Sequence, residues 1–420
     1  MDPSSAVFQE DATVTIEGKD VPIKISLSES GNIIVDVVSS PKYGIFGDTG
    51  FHRKSVQGVT ASGDTVVCSN VSISLGMKAE SGKKSYNYIN EINAASEITI
   101  DGTNNYVSYS GEEVTISFDV LGLRHYVPHS AVDEFELINK PDLKVVATPV
   151  NDIDERIEYI KSHKSLIRTA EVNVTLDIAG DIAHQVATAA DRLSDVLSLC
   201  GFVQGIGPNY VKAELDSIDN QSAHSYQGGL RFTQLYSTQG DIGGSLASGR
   251  LAWGNDLSTY LDEAFDNYDN TVKNNLRVRQ VLGYYWDAMN ATRPVEGRLL
   301  SVCSGIELLA KRYSDLYNQQ ARTQDRIEYL IDELDVETDD LASFAGTTNK
   351  SASKKYFYSY SRHYVVHGDN NPSSGELISD FQAALTLLQR IIRNQLVGSM
   401  DMSQFSSLND ITPSETISFV

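Results

Sequence analysis

The sequence predicts an α+β, multidomain chain: a β-rich N-terminal module, a mixed α/β middle segment and a C-terminal all-α bundle. Three observations predict it. Apolar and polar residues alternate with period two through most of residues 1–145, as half-buried strands do. Over 146–255 that alternation is interleaved with runs of three- and four-residue apolar spacing. Over 256–400 only the helical spacing remains, and 401–420 reads as a loosely ordered tail. With 420 residues, 41% apolar and 21% charged, the chain can build two or three cores.

The elements follow in order. "ATVTIEGKDVPIKISL", "GNIIVDVVSS", "TVVCSNVSISL", "SEITIDG" and "EEVTISFDVLGL" read as strands separated by Gly, Asp, Asn and Ser. Their spacing predicts an antiparallel sandwich or a barrel-like module. The tyrosine-rich "KKSYNYINEINAAS" reads as a loop or short helix between strands. In the middle segment "LKVVATPV" and "AEVNVTLDI" are strands and "DIDERIEYIKSHKSLIR" is a helix. "GDIAHQVATAADRLSDVLSLCGFV" is a second helix, capped or charge-loaded at its start by Asp181, with Gly201 near its end. "NYVKAELDS" and "SYQGGLRFTQLYS" are polar strands, and Gly-rich "DIGGSLASGRLAWGN" is a linker or surface loop. Four amphipathic helices then run from "LSTYLDEAFDNYDN" to "TQDRIEYLIDELDV", and a last one covers "GELISDFQAALTLLQRIIRNQLVG".

Bulk chemistry narrows the function. Net charge is −22, so any contact with nucleic acid requires a local basic patch. No stretch approaches the apolar length of a membrane span, and the N-terminus lacks the basic and apolar regions of a signal peptide. Cys68, Cys200 and Cys303 lie far apart with no CxxC pattern, which fits a reducing cytoplasm and argues against a zinc ribbon. P-loop, G-x-S-x-G and G-x-G-x-x-G motifs are all missing.

Two stretches share the pattern R-H-Y-V-x-H: Arg124 to His129 and Arg362 to His367. Pro128 removes a backbone donor and presses Val127 toward extended geometry, so the first copy ends a strand or turns a loop. The second lies between helices. It follows Lys350, Lys354, Lys355, Tyr356, Phe357, Tyr358 and Tyr360, a locally basic and aromatic run that suits single-stranded RNA. His363 and His367 are four apart, a spacing that could hold a metal, but the zincin Glu is replaced by Tyr364 and Asp369 is no clear third ligand. We therefore expect no metal and no cofactor.

Arg362, polar His363, Tyr364-Val365-Val366 and then His367-Gly368 resemble the R-x4-6-H motif of HEPN domains. "VEGRLLSVCSGIELLAKRY" is similar to the HEPN helix in which a small-residue stretch precedes a Glu, here Glu307. The likeness covers about 265–400. A β-rich region, a middle segment and a C-terminal HEPN in that order resemble the ApeA-like group of anti-phage proteins. The resemblance implies a metal-independent endoribonuclease acting as a homodimer, with an N-terminal region that binds a trigger or regulator. The alternative is a HEPN-fold scaffold that only dimerises and binds.

Cleavage of RNA without metal needs a proton taken from a 2′-OH, charge stabilised on phosphorus, and a proton given to the 5′-oxygen. Histidine can do either proton transfer, and arginine can fork two donors onto a phosphate. His367 is thus the expected acid or base, Arg362 the clamp, and His363 a positioning group or second proton carrier. Lys354, Lys355 and Tyr360 are the expected RNA contacts. On one ideal helix Arg362 and His367 diverge by about 140° and cannot both point at one atom; the resemblance implies that the motifs of two protomers meet across a two-fold axis. Glu307 either buttresses the cleft or pairs with a surface lysine.

Overall fold

The computed structural model describes residues 4–16, 18–38, 52–78, 86–102, 114–123, 134–163, 165–178, 181–205, 207–216, 231–236, 254–268, 271–290, 293–317, 322–338, 341, 360–368 and 372–397. The protein is α+β, with a large antiparallel sheet in the N-terminal half and a helical C-terminal region.

Among the described residues the strands are β1 (Ala6–Ile16), β2 (Lys19–Ser28), β3 (Ile33–Val37), β4 (His52–Thr60), β5 (Thr65–Lys78), β6 (Tyr86–Asp101), β7 (Val114–Leu121), β8 (Phe135–Lys140), β9 (Leu143–Pro149), β10 (Arg168–Leu176), β11 (Asn209–Asp216) and β12 (Arg231–Tyr236). They form one sheet in the order β3-β2-β1-β4-β5-β6-β12-β11-β7-β10-β9-β8. A further pairing, Val35 with Ile92, returns β3 to β6. The first six strands therefore curl around a core that includes Val14, Ile23, Ile25, Val66 and Ile98 and takes in Leu121, Ile160, Val211 and Leu235 from later elements. The alternation that predicts these strands is visible in their burial: in β2 Val21, Ile23 and Ile25 are enclosed while Pro22 and Lys24 between them are not.

Two expectations need correction. From Tyr86 onward the stretch expected as a loop or short helix belongs to β6, whose backbone pairs with β5 from Tyr86 to Asp101. Long-range pairing overrides weak local preference there. The expected division at residue 145 falls inside β9, and strands from both sides of it pair: β10 lies between β9 and β7. Gly201 lies in the last turn of its helix, near the end as expected. That helix continues to Gln204, and Gly205, at φ 70°, supplies the left-handed residue that closes it.

The helices are α1 (Ile153–His163), α2 (Ile182–Gln204), α3 (Gly254–Asn267), α4 (Val278–Met289), α5 (Val295–Tyr317), α6 (Thr323–Glu333), α7 (Arg362–His367) and α8 (Ser374–Val397). Asp181 caps α2 as expected, accepting from the His184 N–H at 2.8 Å. From Asp195 to Gln204 every residue of α2 is buried, because one face meets β7, β10 and β11 and the other meets α3 and α4. One core thus runs from Ile116 and Phe118 of the sheet through Val196 and Phe202 to Ile306 and Leu388 of the C-terminal helices.

A second tie joins α1 to the curled strands. Arg156, 7% exposed, sends two nitrogens to the buried Glu29 carboxylate at 2.6 and 3.0 Å, a third bond to Asp152 at 2.6 Å and a fourth to the Arg168 carbonyl at 2.8 Å. No helix among the described residues is long and apolar enough to cross a membrane.

Candidate functional site

Helix α7 is short, and each of its side chains has a direction set by the 100° step. Ser361, just before it, is fully buried, and its hydroxyl donates to the buried carboxylate of Asp380 on α8 at 2.5 Å. Tyr364 and Val365 lie on that same inward side and pack on the core. His363, Val366 and His367 face outward and are exposed. Arg362 lies between the two sides. Its Nε donates to Oε1 of Glu307 on α5 at 2.5 Å. Gly368, at φ 71°, turns the chain out of the helix and returns its N–H to the Tyr364 carbonyl at 2.9 Å.

Within one chain the structure brings His363 and His367 together, with ring centres 5.3 Å apart, and turns Arg362 toward α5 instead. Arg362 and His367 therefore diverge as helix geometry predicts. Tyr360 is half-buried at the entrance to α7. Lys354 and Lys355 lie outside the described residues, as do Tyr356, Phe357, Tyr358, Asp369 and the whole Arg124–His129 copy.

Three acidic or nucleophilic groups back the motif. Glu307 is the partner of Arg362, resolving the sequence alternative in favour of the motif. Asp380 anchors the start of α7; a carboxylate on the apolar face shared by Leu377, Phe381 and Ala384 is the sequence signal that could have found it. Cys303, one turn before Glu307, is buried. Burial pushes its thiol pKa up, Glu307 and Asp380 push it further, and Arg362 opposes them. It stays a thiol and is not a nucleophile. Among the described residues no three His, Cys, Asp or Glu side chains gather as a metal site.

The arrangement offers a cation held by a carboxylate and, on the outer side of the same helix, two imidazoles that can carry protons. The fold and site define an α+β protein with an Arg/His helix set on its C-terminal helical region. The chain matches no family model, no curated protein and no solved structure.

Proposed function

We propose that the protein is a metal-independent endoribonuclease of HEPN type, an anti-phage or stress-defence effector working in the cytoplasm as a homodimer. The observation that carries this reading is the division of labour on α7: an arginine oriented by Glu307 and two exposed histidines on the outer side. Bringing two copies of α7 together across a two-fold axis offers the arginine of one protomer to the histidines of the other, which one helix cannot do by itself. The free, buried thiols of Cys68, Cys200 and Cys303 fit a reducing compartment.

In the proposed reaction an imidazole of His367 removes the 2′-OH proton, and the 2′-oxygen attacks the adjacent phosphorus. The P–O5′ bond breaks as the P–O2′ bond forms, and an imidazolium, from His363 or the partner's copy of the pair, returns a proton to the leaving 5′-oxygen. Arg362 exchanges part of its contact with Glu307 for the phosphate oxygens as charge develops there. The products are a 2′,3′-cyclic phosphate and a 5′-hydroxyl. Lys354, Lys355 and Tyr360 hold the RNA strand, and the β-rich region binds the trigger or regulator.

The test is RNA incubated with purified protein in EDTA. Cleavage with cyclic-phosphate and 5′-hydroxyl ends, abolished by His367→Ala, supports the proposal; 5′-phosphate ends, or cleavage that requires Mg²⁺, sink it. A second reading, a HEPN-fold scaffold that dimerises and binds without cleaving, is favoured by the engagement of Arg362 with Glu307 and by the net charge of −22. Intact RNA in every condition supports that reading.

A further inference from the structure

We propose that His363 and His367 form a two-imidazole site for a late first-row transition ion, such as Zn²⁺, Ni²⁺ or Cu²⁺, and that its occupancy blocks cleavage. The binding stands on this chain alone; its effect on cleavage rests on the function proposed above.

The geometry fits such an ion. Both rings are exposed on the outer side of α7, one helical turn apart, with centres separated by 5.3 Å and planes tilted by 58°. An ion about 2.1 Å from one nitrogen of each ring lies about 3.2 Å from each ring centre, and a tetrahedral angle then separates the centres by about 5.2 Å. The observed ring-centre spacing is close to that value. The α7 backbone is held: Ser361 is fastened to Asp380, Arg362 to Glu307, and the Gly368 N–H closes the last turn. A backbone already held lowers the cost of ordering the pair.

The chemistry selects the ion. Imidazole suits Zn²⁺, Cu²⁺ and Ni²⁺, whereas Mg²⁺ and Ca²⁺ prefer oxygen ligands. Two protein ligands leave the other coordination positions to water, so the site is an open and exchangeable one. A net charge of −22 raises the cation concentration around the whole molecule. An ion on this pair occupies the lone pairs that would accept a proton from RNA. It therefore inhibits, in contrast to the usual activating role of a nuclease metal.

Full-length protein stripped with EDTA and desalted is titrated with CuCl₂ and with ZnCl₂, beside His363→Ala and His367→Ala, whose folding is checked by circular dichroism. The expected result is one additional bound ion per chain in the wild type. Either substitution weakens that site by at least about tenfold, the lower end of what even outer-shell changes cost metal sites. Cu²⁺ binds more tightly than Ni²⁺ or Zn²⁺, and Mn²⁺ more weakly than either. The copper form shows two nitrogen couplings by electron paramagnetic resonance. Equal binding by wild type and both variants, or a single nitrogen coupling, overturns the site. If RNA is cleaved at an undiminished rate with the site saturated, the inhibitory role is overturned. If RNA is never cleaved, the nuclease reading fails while the ion-binding result stands.

Discussion

Replacing Arg362 separates a chemical role from a structural one, and its ion pair with Glu307 gives a scale for the structural coupling. The two side chains are 20% and 28% exposed and meet at 2.5 Å. Fully exposed pairs contribute about 0.2–1 kcal/mol. Removing one member of a fully buried pair costs about 3–5 kcal/mol. This pair lies between those limits, so a double-mutant cycle of Arg362→Ala and Glu307→Gln should give a coupling of about 1–2 kcal/mol. Set against a typical stability of about 5–15 kcal/mol, a loss of that size leaves the chain folded. Cleavage by Arg362→Ala should nevertheless fall by about 10²-fold or more, as when a transition-state donor is lost. The assays are urea unfolding of the four proteins of the cycle and RNA cleavage by each under folding conditions. A coupling near zero would show that the ion pair does not hold in solution. Cleavage by Arg362→Ala within a few-fold of wild type would refute its role as phosphate clamp.

Other perturbations have equally definite outcomes. Arg156→Met strands the Glu29 carboxylate, and should cost about 3–5 kcal/mol in urea unfolding; a loss under about 1 kcal/mol would mean that water reaches Glu29. Asp152 has its pKa lowered chiefly by its hydrogen bond from Arg156. Its contribution is therefore present above the ordinary aspartate value of 3.8 and is lost as pH falls through the lower folded value. The stability gap between wild type and Asp152→Asn should close below that pH, and a gap that widens in acid would contradict the assignment. Arg124→Ala and His129→Ala should leave any RNA cleavage within about twofold of wild type, since this copy reads as the end of a strand or a turn and substitutions away from special features usually cost under about 0.5 kcal/mol. Loss of cleavage with intact folding would make the first copy of the motif the functional one.

The sequence by itself determined the elements whose signals are local. The three- and four-residue spacing of α5 and α8, the Asp181 cap and the alternation in β2 or β7 each depend on residues within a few positions of one another. The same holds for α7, where the spacing of Arg362 and His367 already fixes the angle between them. What only the tertiary structure decided depends on partners far along the chain. Sheet order is of this kind: β12 enters beside β6, and β7 lies between β11 and β10. The strand character of residues 86–94 comes from their pairing with β5, whereas residues 96–101 already read as a strand by their alternation. Likewise Glu307 finds Arg362 across 55 residues, and Asp380 finds Ser361 across 19. A carboxylate's sequence neighbours show that it needs a partner when buried, but which of the chain's many cations or hydroxyls meets it is set by how the helices pack.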